Sequence, residues 1–253
     1  MSYTIAVAGK GGTGKTSLTG LIINNLLQRG QGPILAVDAD PNANLGEVLG
    51  LEVQGSIGAI CDQALGSMSK VPPGMTKEDY LEYHIQGALT EADGFDLLCM
   101  GRPEGAGCYC YVNNLVRKLM DRLIRNYPLI LMDNEAGLEH LSRRTTRTAD
   151  LLLLISDASL RGLKTTGRLI KLIRELKLDI KKTGLIINRA GGELSPRFAE
   201  YIKAQGLQLY GVIPDDEALS RLDAEGMPLI NLADDTPAAQ AVNRLTDKIL
   251  SEK

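Results

Sequence analysis

The chain has 253 residues, 44% hydrophobic and 23% charged, with a formal net charge of -3. These values fit one α/β domain, or two small ones, with a sizeable core, and exclude a molecule that binds nucleic acid or anionic membranes through bulk charge. Tryptophan is absent and phenylalanine occurs twice, so the core must come from Leu, Ile, Val, Ala and Met. The opening "MSYTIAVAGK" lacks a charged leader followed by a long apolar run and a cleavage site, and so reads as no signal peptide. The longest clean apolar run, Leu151–Ile155, is far short of a membrane span. The expectation is a cytoplasmic protein, where closely spaced cysteines lean toward metal or redox chemistry rather than structural disulfides.

Thr4–Ala8 reads as the first strand and runs directly into "GKGGTGKTS". A helix follows over Lys15–Arg29, then a strand over Ile34–Asp38 that ends in "VDADPNAN". The stretch Gly66–Asp93 is more polar, holds Pro72, Pro73 and Gly74, and reads as an insertion or mobile flap. Further strands are predicted at Phe95–Met100, Leu129–Asp133, Leu151–Ser156, Thr183–Asn188 and Leu207–Ile213, with helices at Asn113–Arg125 and Leu160–Leu176. The strand runs are continuously apolar, as in a parallel sheet covered on both faces. In the second helix Leu163, Leu169, Ile170, Leu172, Ile173 and Leu176 recur at close to helical spacing. The C-terminal stretch places Ala241, Val242, Leu245, Ile249 and Leu250 on one face, and its mixed charge without aromatics favours core packing over a membrane anchor. The fold class is therefore α/β, a doubly wound, mostly parallel sheet of seven or eight strands with helices on both faces, in a single domain over residues 1–253.

Gly9, Gly11 and Gly14 satisfy the dinucleotide pattern G-x-G-x-x-G, and the same stretch satisfies the P-loop pattern G-x-x-x-x-G-K-[ST]. Lys15 and Thr16 decide between them: a P-loop needs a lysine on the β/γ-phosphates and a hydroxyl on Mg²⁺, and a dinucleotide site needs neither. The glycines let backbone N–H groups approach phosphate, and the helix N-terminus adds partial positive charge. Asp133 ends "LILMD" and is followed by "NEAG", where a Walker-B aspartate belongs, with Gly137 able to present its N–H to the γ-phosphate. Asp38 and Asp40 end the second strand, where a carboxylate can orient the attacking water. The competing reading of Asp40 is a turn-former before Pro41.

With Lys10, the loop K-G-G-T-G-K-T resembles the deviant Walker A of the MinD/ParA/NifH class of P-loop ATPases. The resemblance implies a homodimer with ATP or ADP and Mg²⁺, in which Lys10 reaches the partner's nucleotide across the interface. It implies a switch I role for Asp40, a switch II role for Asp133–Gly137, and adenine contacts from Asn188, Arg189 and the "GVIPDD" segment holding Pro214, Asp215 and Asp216. Gly9, Lys10, Gly11, Gly12, Thr13, Gly14, Lys15, Thr16, Ser17 and Asp38 complete the nucleotide set, with Lys10, Lys15, Asp40 and Asp133 as catalytic residues. Thr16 holds Mg²⁺ and Asp133 supports it through water. "MDNEAGLEHLSRRT", together with "GCYCY", is similar to the CooC-type nickel-insertion ATPases, and "GRPEGAGCYCYVNN" is similar to their AcsF-like branch. That likeness implies Ni²⁺ cargo, with Zn²⁺ possible in vitro, and carbon monoxide dehydrogenase or acetyl-CoA synthase as client; the negative net charge and the C-terminal composition argue against nucleic acid and membrane partners.

Cys108 and Cys110 supply two soft thiolates, which suit Ni²⁺, Zn²⁺ or Cu(I) but do not fill a four-coordinate site. A two-fold axis beside them would assemble four sulfurs from two protomers and couple metal affinity to nucleotide state. Inert cysteines, a regulatory disulfide and an interfacial iron–sulfur cluster remain competing readings. So do two further functions, a NifH-type iron–sulfur reductase and a MinD/ParA-like positioning ATPase. Cys61 and Cys99 read as core residues, and His140 as a helix-surface or hydrogen-bonding group. Arg143, Arg144 and Arg147 read as a solvated face or client-docking patch.

Overall fold

The computed structural model describes residues 2–67, 71–101, 110–136 and 148–253. The element order among them is β1 (Tyr3–Gly9), α1 (Lys15–Gln28), β2 (Ile34–Asp38), α2 (Leu45–Leu49), α3 (Ile57–Ser67), α4 (Lys77–Gly87), β3 (Thr90–Ala92) and β4 (Phe95–Cys99). It continues with α5 (Cys110–Ile124), β5 (Leu129–Asp133), β6 (Thr148–Asp157), α6 (Leu160–Glu175), β7 (Asp179–Ala190), α7 (Pro196–Ala204), β8 (Gln208–Pro214), α8 (Glu217–Ala224), a 3₁₀ turn at Leu229–Asn231, and α9 (Pro237–Ser251).

The strands form one sheet in the order β3-β4-β2-β5-β1-β6-β7-β8. Every pairing is parallel except β3 with β4. The chain leaves β1 toward β2 and β4, returns to insert β5, then crosses to β6 on the other side. The loop after β1 therefore sits where the winding reverses, the place where ligands bind in open α/β sheets. The central strands are buried on both faces because their apolar runs feed two cores. On one face Ile5, Val7, Leu129, Leu131, Leu151 and Leu153 pack with α1, α2 and α9. On the other Ala6, Ala8, Ile130, Met132, Leu152 and Leu154 pack with α3, α4, α5 and α6. This is the doubly wound architecture that the continuous apolar runs imply.

The strand absent from the sequence-based expectation, β3, lies within the polar stretch 66–93. Thr90–Ala92 pairs with Phe95–Leu97 across the two-residue turn Asp93-Gly94, with Gly94 at φ +79°. An Asp-Gly dipeptide between two short β-compatible runs is a hairpin signal. The segment read as an insertion or flap also carries α4, which opens on a capping box between Thr76 and Asp79. Its Leu81 and Ile85, one turn apart, are buried beside Ile57, Ile60 and Leu119. Cys61 and Cys99 are buried in the two cores, and burial, with the Asp38 charge beside it, pushes the Cys99 thiol up to about 12. The C-terminal helix buries Ala238, Ala241, Val242, Leu245, Thr246 and Ile249, with Leu250 partly covered. Among the described residues, no helix is long and apolar enough to cross a membrane.

Because Leu81 and Ile85 are fully enclosed, Leu81→Ala should destabilise the protein by about 2–5 kcal/mol, as cavity-forming core truncations do. Urea denaturation measures this, and a cost within about 0.5 kcal/mol, the range of surface substitutions, would mean that α4 is detached from the core in solution.

Candidate functional site

Three strand ends meet at one rim. Asp133 lies level with Val7 of β1 and Asp38 of β2, so two carboxylates flank the base of the loop that begins at Gly9. That loop is shaped by close approach. A Cβ on Gly9 would collide with the Ile155 carbonyl of β6, and one on Gly14, at φ +80°, would stand 2.5 Å from Asn188 Nδ2. The Thr13 hydroxyl donates to the Lys10 carbonyl at 2.8 Å, and the Lys15 ammonium reaches the same carbonyl at 3.4 Å. Lys15 is thus folded back into the loop and buried, while Lys10 is exposed. Gly14 caps α1 without a side-chain hydrogen bond. The N–H groups of the first helical turn are therefore left for an anion.

Asp133 is 1% exposed, and among the described residues neither carboxylate oxygen has a hydrogen-bond partner. Burial pushes its carboxyl up to about 7; the Thr16 hydroxyl and Lys15 pull it down, and Asp38 and Asp40 push it up. Thr16 is near enough to favour the ionised form, yet forms no hydrogen bond of ordinary geometry with it. Two orphaned carboxylate oxygens beside a hydroxyl are hard donors of the kind Mg²⁺ takes, so the residues present fit a Mg²⁺·nucleotide. Asp38 differs. Its two oxygens accept the N–H groups of Asp40 at 2.9 Å and Leu45 at 2.8 Å, while burial pushes its carboxyl up to about 6. Asp38 therefore shapes the loop that carries Asp40, rather than facing a ligand with free oxygens. Asp40 is half-buried and accepts the Asn42 N–H at 2.9 Å, so the turn-forming interaction is present.

Beside Gly14 and Ser17 opens a cleft of about 310 Å³ lined by Asn188, Arg189, Pro214, Asp215 and Asp216 on one side and by Leu219, Ser220 and Asp223 of α8 on the other. All five predicted base contacts line it, but not in equivalent ways. Asn188 Nδ2 donates to the Thr13 carbonyl at 2.9 Å, tying β7 to the phosphate loop. The Asp216 carboxylate accepts three backbone N–H groups, from Ala218, Leu219 and Ala238. It caps α8 and holds the start of α9, so both its oxygens are committed to the protein. The α8 wall escaped the sequence reading; its signal was Asp216 before an apolar helical run, closed by Gly226.

Asn134 was also missed. It is 1% exposed, its Nδ2 donates to the Val7 carbonyl at 2.9 Å, and its Oδ1 is buried without a partner among the described residues. It clamps the end of β5 to the strand that feeds the phosphate loop, and its place directly after Asp133 at the end of an apolar strand was the available signal. Of the metal-pair residues, Cys110 is the first residue of α5. Cys108, Gly137, His140, Arg143, Arg144 and Arg147 lie outside the described residues.

A glycine loop on an uncapped helix N-terminus, an inward lysine and a buried orphan carboxylate at the switch point of a parallel sheet define a P-loop nucleotide-binding protein. The chain belongs to the CobQ/CobB/MinD/ParA nucleotide-binding domain family, whose model matches residues 4–229. It is 43% identical to an uncharacterized ATP-binding protein of Methanocaldococcus jannaschii over 98% of this chain and 99% of that one. It is 28% identical to the carbon monoxide dehydrogenase accessory protein CooC of Rhodospirillum rubrum, over 90% of each. The MinD cell division protein of Aquifex aeolicus superposes with a TM-score of 0.71 at 25% identity, covering 100% of this chain and 98% of that one.

The raised carboxyl of Asp133 has a pH signature. An acid whose folded pKa lies above its unfolded value stabilises the fold most below the unfolded pKa, and that stabilisation is lost as pH rises through the folded pKa. Nucleotide-free protein should therefore lose stability relative to Asp133→Asn between about pH 4 and 7, by on the order of a few kcal/mol, with the two curves parallel above that range. Parallel urea titrations across that range would show otherwise if the two curves stayed equidistant.

Proposed function

We propose that the chain is a cytoplasmic, Mg²⁺-dependent ATPase that works as a homodimer and delivers nickel to carbon monoxide dehydrogenase or acetyl-CoA synthase. The cargo reading is carried by one observation: Cys108-Tyr109-Cys110 leads into α5 in a P-loop chain similar over nine-tenths of its length to a carbon monoxide dehydrogenase accessory protein. In this reading Cys108 and Cys110 hold Ni²⁺, or Zn²⁺ in vitro, together with the same pair from the partner protomer. Four soft thiolates complete the coordination that two leave open.

The nucleotide reading rests on the rim geometry. Bound Mg²⁺·ATP supplies the phosphoryl group and offsets its charge. The N–H groups of Gly11, Gly12, Thr13 and Gly14 and the first turn of α1, through Ser17, cradle the phosphates. Lys15 swings from the Lys10 carbonyl onto the phosphate oxygens. Thr16 and Asp133 hold the magnesium side, Asp133 through water, and Gly137 presents its N–H to the terminal phosphate. Asp40 orients the attacking water, and Lys10, exposed on the loop, stabilises charge on the partner's nucleotide. Asn188, Arg189, Pro214 and Asp215 surround the base, while Asp38 and Asp216 hold the loop and wall around it.

Replacing both Cys108 and Cys110 with serine should abolish stoichiometric Ni²⁺ binding, counted by metal analysis of anaerobically loaded protein, while nucleotide binding persists. Lys15→Ala should do the reverse, losing nucleotide and keeping the metal-binding thiols. Undiminished metal stoichiometry in the double serine variant would remove the cargo reading, and a visible charge-transfer absorption in the wild type as purified would favour an iron–sulfur cluster instead.

A further inference from the structure

Charge is unevenly distributed along the chain. Residues 148–189 hold nine Lys and Arg against four Asp and Glu, whereas the remainder holds 19 against 27. Much of this excess lies on α6. Arg161, Lys164, Arg168, Lys171 and Arg174 are all exposed. Their spacings of three and four residues place them on one side of the helix. The opposite side buries Leu163, Thr166, Leu169 and Ile173 against the sheet. Glu175 is the only acid on α6. Among the described residues, none of the five cationic side chains makes an ion pair or hydrogen bond, although Lys181 and Lys182 nearby in sequence pair with Asp150 and Glu252.

We propose that this stripe docks an acidic helical segment of a protein partner. Five like charges stacked one turn apart repel one another, and the one acid on that face, Glu175, stands at its C-terminal end, four residues after Lys171, leaving a net excess of four positive charges. The stripe runs about 20 Å at 1.5 Å per residue. A partner helix with Asp or Glu at the same three- and four-residue spacing meets a cation at every turn, which gives electrostatic complementarity and fixes register. Duplex DNA fits less well. Its phosphates curve away from a straight line one side chain wide, and no aromatic or amide group stands in the stripe to stack on or read bases. A lipid surface calls for bulky apolar groups flanking the cations; Thr165 and the half-buried Leu172 lie there, and the exposed Leu176 falls beyond the last turn. The first turn of α6 follows β6, whose Ile155 carbonyl abuts Gly9 of the phosphate loop. A segment seated on Arg161 and Lys164 therefore lies on the nucleotide rim.

The test uses the full-length protein and three probes at about 0.15 M salt. They are a labelled helix-forming peptide of about 20 residues carrying Glu in the matching repeat, a duplex of about 20 base pairs, and phosphatidylserine vesicles. The wild type should bind the peptide with an affinity that falls steeply as salt rises. Arg168→Glu, Lys171→Glu and Arg174→Glu together should weaken binding roughly ten-fold or more. The corresponding Gln variant should weaken it less, and Arg244→Glu on α9 should leave it unchanged. Retained nucleotide binding and circular dichroism establish that the reversed variant is folded. Failure to bind the peptide, or binding that charge reversal does not weaken, overturns the proposal. So does DNA or vesicle binding that is tighter than peptide binding and is abolished by the reversal.

Discussion

A carboxylate held out of water with neither oxygen bonded is costly, and among the described residues Asp133 is one. It is tolerated because strand register leaves it no alternative: β5 lies between β1 and β2, and its last residue falls level with Val7 and Asp38. The apolar runs that bury the central strands carry Asp133 to the rim, next to the helix N-terminus and the inward ammonium of Lys15. The strain is local and the stabilisation is distributed over two cores. A buried acid of this kind is stable only while it is protonated or meets a cation. The geometry of the rim is thus organised around a positive charge that the protein supplies only in part.

The other acids at this rim behave differently because of what surrounds them. Asp38 is as buried as Asp133 but accepts two backbone N–H groups, and so acts as a bracket for its loop. Asp216 accepts three and acts as a bracket between two helices. Asn134 uses its amide to join β5 to β1. The three acids thus have distinct parts, separated by the number of backbone donors within reach, and Asn134 acts by donating instead.

Much of this was legible in the sequence. Continuous apolar runs alternating with helical spacing gave the doubly wound sheet, because a strand covered on both faces has no polar positions. Gly9 to Thr16 gave the phosphate loop, because few other uses require that glycine spacing with a lysine and a hydroxyl after it. Position at a strand end, however, does not reveal where a carboxylate's oxygens point. Asp38 and Asp216 looked like ligand contacts from their place in the chain, and only the backbone conformation shows their oxygens already used. The short β3 and the α4 core contacts were hidden by the polar composition of residues 66–93, where two buried residues, Leu81 and Ile85, anchor an otherwise solvated helix. The α8 wall was missed because its eight residues are too few for a firm periodicity.

Asp216 has one more consequence. Its carboxylate joins the helix that walls the cleft beside Gly14 to α9, and α9 in turn lies along α1, which begins at the phosphate loop. Cleft wall, C-terminal helix and loop helix are thus joined in series around one end of the sheet. A helix far from the phosphate loop in sequence thereby has a structural share in placing both walls of the nucleotide cleft.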